Sequence, residues 1–522
     1  MKRKITLVFL LLSIFCASLL QAQEKRITGK VTDSNGITLP GVGIRIKGVS
    51  GGTQTDVNGN YAIIIANPQS ILVFSYLGYI TQEVGIDAGS RINVSLTQDN
   101  KNLQEVVVVG YGTQQKTNVS SSISSISAEE ISSRPVADAA QALQGKVAGV
   151  TIIQNSGAPG GTGGTSIRIR GISSVTGTNN PLIVLDGFPL PDQGSDNILN
   201  SFSPNEIESI DILKDAAAAS IYGVRGSNGV VLITTKRGKA GVAVISTDIY
   251  RGYQQAWQLP SVLNAKEYAI INNEARIASL LNPIPKLADP NAVEQTYGAG
   301  TDWLNQVFRG AAMTNAAINI SGGSEKAKYA LSTGYFKQDG IIENTSFDRF
   351  NLRFNGDLQA SRKLKIGNSL TMSRTKEIPQ NTYDPFNSVI ILALTAPPTV
   401  QPRNPDGSYA GGNGSVDGFD EPNPVYNIEV PRFLNTKFRL TGTVFGEYEL
   451  LTGLKLKANL GLDFVTQSLR GYNPAVPSSG ARPNIRTGVT DQTNFSPNYL
   501  GEFTANYSKK INDHNFSVLG GF

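Results

Sequence analysis

The stretch FNLRFNGDLQA at 350–360 places Phe350, Leu352, Phe354, Gly356, Leu358 and Ala360 on one face and Asn351, Arg353, Asn355, Asp357 and Gln359 on the other. A period of two belongs to a β-strand. LKLKANLGLDF at 454–464 repeats it, and similar runs occur near 242–256, 314–321, 328–338, 363–374, 437–450, 498–508 and 515–522. A soluble sandwich alternates in the same way, so the connections decide. Short links at 322–327, 361–363, 451–453 and 509–514 take turns with longer ones at 257–313, 339–348, 375–436 and 467–497. That parity is the mark of a transmembrane β-barrel, with tight turns at one rim and long loops at the other. Strands of about ten residues also suit a tilted crossing. Phe350, Leu352, Phe354 and Leu358 are therefore expected to face lipid. Asn351, Arg353, Asn355 and Asp357 are expected to face the lumen or a plug within it, where an arginine in place of Asn355 should cost little. Nine such strands fall short of the roughly 22 with which plugged barrels close, so residues 239–522 read as part of a longer barrel.

The start of the chain gives the compartment. Lys2, Arg3 and Lys4 precede an apolar run over 5–20, and Gln21-Ala22-Gln23 follows. This is the pattern of a secretory signal peptide over 1–22, cut after Ala22. The run is shorter than the about 20 residues that a membrane anchor needs. Cys16, the one cysteine of the sequence, lies inside it, and His514 is the one histidine. The mature chain thus has no thiol for a disulfide or a zinc site, and no histidine cluster for a metal or a triad. No cofactor, no metal and no catalytic set is expected, and the chain does not read as an enzyme. The net charge of +5 is scattered, without the basic stripe of a nucleic-acid binder.

Ahead of the strands the chain divides into three parts. Residues 26–97 alternate short β-rich runs with turn clusters and read as a small β-sandwich. Within them TDVNGNY at 55–61 lacks the closing Glu of a calcium loop and reads as a tight turn. Residues 98–128 form a polar linker interrupted by four valines, Val106–Val109. A β-branched tetrad in a linker is either an edge strand of a neighbouring domain or a segment that adds itself to a partner's sheet. Residues 129–238 read as a compact α/β segment. Asp138 caps a helix through Gln144, strands are expected at 150–153, 166–170, 182–185, 207–213 and 229–235, and a helical turn at 215–221. SGAPGGTGG at 156–164 has no following Gly-Lys-Ser/Thr and reads as a turn-rich lead-in, not a phosphate cradle. Asp186-Gly187 reads as a turn.

These segments, taken together, resemble the SusC/RagA family of TonB-dependent outer-membrane transporters of Bacteroidetes. The resemblance lies in EVVVVGYGTQ at 105–114, LQGKVAGVTI at 143–152, GGTSIRIRGISS at 163–174, PLIVLDGFP at 181–189 and IESIDILKDAAAASIYGVRGSNGVVLITTKRG at 207–238. It implies a mainly β chain: a carboxypeptidase-regulatory-like β-sandwich at 26–97, a plug domain at 129–238 and the first nine or so strands of a 22-stranded barrel. It further implies import of a glycan or peptide fragment across the outer membrane, driven by TonB and shared with a SusD-like surface lipoprotein. A passive porin or an exported β-rich adhesin is the alternative. Under the resemblance Val106, Val107, Val108, Val109, Gly110, Tyr111 and Gly112 form a TonB box within 105–112. This segment is expected to be disordered or loosely held in the isolated protein and to become a strand only on TonB. Arg168, Arg170 and Arg225 would hold the plug to the barrel wall through acidic partners, or else stand as solvated surface arginines. No residue is assigned to the substrate.

Overall fold

The computed structural model describes residues 25–522 apart from 35, 50, 66, 68–69, 77–78, 87–89, 98–105, 110–111, 116–121, 135, 155–156, 162–164, 192–197, 382–387, 419, 421, 476–485 and 513. The expected signal peptide lies outside the described residues. Two compact units are present. The first ends at Val107 and takes back Thr113–Val119, and the second holds Val108–Gly112 and everything from Ser120.

In the first unit two sheets face each other. One pairs Asn60–Ile65, Lys25–Asp33 and Val94–Leu96, and the other Gly52–Gln54, Gly43–Ile46, Ile71–Ser75 and Gln82–Gly85. Ile27, Val31, Ile44, Leu72 and Phe74 are fully buried between them, as alternate strand positions demand. The 55–61 stretch is a turn: the Asp56 carboxylate accepts from the Asn58 and Asn60 amides at 2.9 and 2.8 Å.

The second unit begins with an α/β layer. Its sheet runs in the order Ile123–Ser127, Ile207–Leu213, Val230–Thr235, Leu182–Leu185, Phe188–Pro189. A hairpin of Val150–Gln154 and Thr165–Ile169 stands apart. Asp138 caps the helix Ala139–Leu143 as expected, and the helical turn expected at 215–221 is the helix Ala216–Ala219, capped by Asp215.

Nine strands follow: β1 (Gly241–Gln254), β2 (Ala311–Gly323), β3 (Ala327–Asp339), β4 (Ser346–Gln359), β5 (Leu364–Ile378), β6 (Arg432–Leu451), β7 (Leu454–Asn473), β8 (Gly488–Ile511) and β9 (His514–Gly521). Each pairs antiparallel with the next in a single sheet whose outer members are β1 and β9. The sequence places all nine but ends several too early. β7 and β8 run on so far that the long link of 467–497 shrinks to 474–487. The apolar alternation fades there, yet ladder hydrogen bonds need only backbone, so pairing continues beyond it.

The two faces differ as the period requires. Arg349, Asn351, Arg353 and Asn355 are no more than 2 % exposed, whereas Phe350, Phe354 and Leu358 are 43–51 % exposed. Register carries this alternation from strand to strand. Thr247, Ile318, Thr333, Leu352, Met372, Leu440, Phe464 and Pro497 lie side by side on the outward face. The next outward row is Ile245, Ile320, Leu331, Phe354, Leu370, Gly442, Leu462 and Tyr499. Tyr335, Phe350, Phe438 and Phe495 border this apolar band on the loop side, and Tyr448 and Tyr507 on the turn side. Ten residues separate Phe438 from Tyr448 along β6. At about 3.3 Å per residue and a tilt of about 40° the band is about 25 Å tall, the height of an outer-membrane hydrocarbon layer. Among the described residues no helix is long and apolar enough to cross a membrane, which leaves strands untouched.

Asn355 departs from its expectation. Its amide donates to Thr235 Oγ1 at 3.0 Å and to the Lys236 carbonyl at 2.7 Å, so it is locked against the α/β layer. An arginine would have no room there. Replacing Leu352 by Arg is expected to destabilise the protein in bilayers by about 2–4 kcal/mol, and Leu352→Met by less than about 1.5 kcal/mol. Equilibrium urea unfolding in vesicles measures both; equal effects would reverse the assignment of the faces.

Candidate functional site

The inward face of β3–β7 is covered by the α/β layer, and the seam between them is polar. It is built around the turn after Leu182–Leu185. Asp186 and Gly187 have φ of 47° and 86°, the left-handed pair that a two-residue hairpin turn requires and that Asp-Gly adopts readily. The turn lifts the Asp186 carboxylate out of its own sheet. One oxygen accepts from the Thr235 amide at 3.0 Å. The other accepts from Thr235 Oγ1 at 2.8 Å, from Ser369 Oγ on β5 at 2.7 Å and from the Arg353 guanidinium on β4. Arg353 also donates to Thr371 Oγ1 at 2.5 Å and Ser369 Oγ at 2.7 Å. Both partners of the pair are at most 3 % exposed.

Further contacts extend the seam along β4. Arg349 donates to the carbonyls of Ala137 and Asn200 at 2.8 and 3.1 Å. Towards the turn rim Arg237 pairs with Asp357 at 3.1 Å. On β6 and β7 Arg439 makes two parallel bonds to Asp463, at 2.7 and 2.8 Å, and its guanidinium lies 5.8 Å from the Phe202 ring of the α/β layer. Two close approaches fix the fit. A Cβ on Gly461 of β7 would stand 2.2 Å from the Phe188 ring, and one on Gly160 would stand 2.3 Å from the Phe347 ring. Glycine is the side chain that leaves room at both places.

Glu206 sits in the same seam. It is 2 % exposed, and neither carboxylate oxygen has a hydrogen-bond partner. Burial pushes its carboxyl up to about 7, against the pull of the Arg353 and Arg349 charges. Asp186 is equally buried, but Arg353, Arg237 and its hydrogen bonds outweigh the burial and hold it below the usual carboxylate range. Two acids in one seam are thus set in opposite directions. Among the described residues no group of three or more His, Cys, Asp and Glu could hold a metal. The arrangement fastens one body against another.

The arginines singled out in the sequence lie elsewhere. Arg225 donates to the Leu190 carbonyl at 3.2 Å within the α/β layer. Arg170 has a φ of 57°, is exposed and lies in the field of Asp215. Arg168 keeps a buried Nε without a hydrogen-bond partner. Among the described residues none of the three forms an ion pair with the nine-stranded sheet; the Asp186–Arg353 contact runs the other way, with the acid on the α/β layer and the arginine on the wall. The sequence signal for Asp186 was real but read only as a turn, since an Asp-Gly pair serves both roles. Gly160 belongs to the lead-in read as merely turn-rich.

Val106–Val109 form a strand in a two-stranded sheet with Gly112–Gln115. The expectation that the valines become a strand only on TonB does not hold: a β-prone tetrad satisfies its backbone with the nearest extended stretch of its own chain. Gly110 and Tyr111 lie outside the described residues.

Two family models match the chain: the TonB-dependent Receptor Plug Domain over residues 115–230 and the CarboxypepD_reg-like domain over 27–108. TonB-dependent receptor P3 of Formosa agariphila is 32 % identical over 529 residues, covering 100 % of this chain and 49 % of that protein. TonB-dependent receptor SusC of Bacteroides thetaiotaomicron is 31 % identical over 543 residues, covering 99 % and 51 %. Among solved structures the RagAB peptide importer in its open-open state superposes with a TM-score of 0.67 at 26 % identity, over 80 % of this chain and 48 % of that one. The chain spans about half the length of the curated relatives it matches.

Removing the Asp186 charge leaves Arg353 buried without a counter-charge, so Asp186→Ala is expected to cost about 3–5 kcal/mol of α/β-layer docking. Glu206 gives a pH signature. Its folded value lies above the ordinary carboxylate value, so the folded chain keeps a proton that the unfolded chain releases. Stability from this group therefore falls as pH rises from about 4.5 to about 7. Asp186, held low, acts oppositely and loses its contribution only in acid. Glu206→Gln is expected to remove the first slope, gaining on the order of 3 kcal/mol over the parent by pH 7. Denaturant titrations across pH 4–8 check this; a constant difference between parent and variant would refute the burial of a titrating Glu206.

Proposed function

From its place among the SusC-like TonB-dependent receptors of Bacteroidetes, to which the chain belongs, we propose that it acts in energy-coupled import of a glycan or peptide fragment across the outer membrane. The observation that carries this reading is the seat of the α/β domain, the plug, on the inward face of a sheet whose outward face is a lipid band. A wide barrel leaks unless something fills it, and whatever fills it must move for cargo to pass. The outer membrane has no ATP, so the force comes from the periplasm by contact.

The Val106–Val109 strand suits that contact. A two-stranded sheet keeps an unpaired edge, and an edge rich in β-branched residues accepts another strand. Addition to TonB loads many backbone hydrogen bonds side by side, which is how a short segment transmits a pull. The seam supports the next step. It is held by ion pairs and hydrogen bonds to hydroxyls and carbonyls, with Glu206 left without a hydrogen-bond partner. Such groups can be taken up by water as the plug shifts, whereas an apolar weld would resist. The likeness to SusC supports import together with a SusD-like surface lipoprotein, and the likeness to a peptide importer keeps peptides alongside glycans as cargo. The cleaved signal peptide belongs to this reading as the route to the outer membrane.

Proline at Val108 removes one backbone N–H and breaks a ladder that uses it. Cells carrying Val108→Pro in the receptor are expected to lose at least about 90 % of nutrient uptake at unchanged outer-membrane abundance. Val107→Pro covers the other amide phase. Normal uptake at normal abundance in both variants would remove the valines from coupling.

A further inference from the structure

The outward face is uncharged over most of its height. Through the rows of Leu352 and Phe354, and on through Tyr329, Val444 and Leu460 to Leu358, Ile366 and Phe503, its positions carry no Lys, Arg, Asp or Glu. On the loop side this changes abruptly. Arg251, Thr314, Lys337, Asp348, Lys376 and Thr436 form one outward row, directly above the aromatic row that contains Arg374. Arg470, opposite Leu434, and Arg432, opposite Tyr472, continue the cationic strip upward on β6 and β7.

All six cations are exposed. Lys337 lies 3.5 Å from Asp339 and Arg470 lies 3.7 Å from Asp491. Among the described residues Arg251, Arg374, Lys376 and Arg432 have no ion-pair partner. Asp348 accepts instead from the Tyr335 hydroxyl at 3.3 Å. Near the top of the strip a cavity of about 750 Å³ opens among Lys376, Ile378, Arg432, Leu434, Arg470 and Tyr472. Its lining combines apolar and aromatic groups with four cations, Arg309, Lys376, Arg432 and Arg470, and three carboxylates, Asp339, Glu429 and Asp491.

We propose that this strip binds phosphorylated headgroups of outer-leaflet lipids, with the cavity taking one such lipid. The inference rests on the reading of the sheet as a membrane-spanning wall. Cations that face lipid can keep their charge only where water or anions reach them, and all of these lie at one margin of the hydrocarbon band. Guanidinium groups bind phosphate through two parallel hydrogen bonds and ammonium groups through a point charge. The aromatic row beneath would sit where acyl chains meet headgroups. Cations outnumber carboxylates in the strip, six against Asp339, Asp348 and Asp491. A neutral headgroup would leave these charges unmatched, so the complementarity selects an anionic lipid.

The test uses the receptor purified in a neutral detergent and titrated with phosphatidic acid or phosphatidylcholine of the same chain length, with bound lipid counted by native mass spectrometry. Phosphatidic acid is expected to bind about tenfold more tightly. The triple variant Arg374→Gln, Lys376→Gln, Arg432→Gln should remove that advantage. A matched triple at the opposite rim, Lys326→Gln, Arg362→Gln, Lys363→Gln, should keep it. Equal binding of the two lipids, or equal loss in both triples, overturns the proposal. Inorganic phosphate bound as tightly as phosphatidic acid would identify a free-anion site and overturn it too. Circular dichroism of each variant separates misfolding from lost binding. Cell fractionation tests the membrane reading separately: a receptor absent from the outer membrane would sink that reading, while the lipid titration still decides this one.

Discussion

Unbroken antiparallel pairing from Gly241 to Gly521 is the constraint on which the rest of this protein depends. In hydrocarbon every backbone amide and carbonyl must be satisfied by another strand, so the sheet cannot tolerate gaps. Because side chains alternate, the same pairing also decides which residues meet lipid. A slip of one residue in β4 would carry Arg349, Arg353 and Asn355 to the outward face and Phe350 and Phe354 to the inward one. The cost of two arginines in lipid far exceeds any local preference, and register is fixed accordingly.

The plug makes use of that fixed inward face. Arg353 reaches Asp186 because β4 holds it at one height, and Ser369 and Thr371 on β5 stand beside it in register. Removing two charges from water costs nearly what their attraction returns, so a buried pair of this kind adds little net stability. What it adds is position: a guanidinium and a carboxylate accept few other geometries. The Phe188 ring against Gly461 adds a steric check of the same kind. The plug is therefore held in one place without being held very strongly, which suits a body that is seated and then displaced.

Outward and inward faces thus have separate tasks set by one alternation. The outward one runs from an apolar band to a basic margin, and the inward one from hydroxyls and amides to paired charges. Val106–Val109 lie ahead of both, in a sheet too small to be a domain.

The sequence by itself determined whatever depends on local period and local chemistry. Nine strands, the alternation of their faces, most of the links and the Asp138 cap follow from alternation, a capping residue and turn clusters. Those signals are carried by neighbours in the chain. The candidate site was legible only in fragments. Arg353 and Asn355 were assigned to the lumen, but that Asn355 is clamped there and that Arg353 meets Asp186 depends on positions 167 residues apart for that pair. Asp186 looked like a turn because it is one, and Arg168, Arg170 and Arg225 looked like wall contacts only through the family resemblance. Only tertiary structure decided which charge met which. An ion pair is formed by distance in space, and period, propensity and motif say nothing of distance between strands of different sheets.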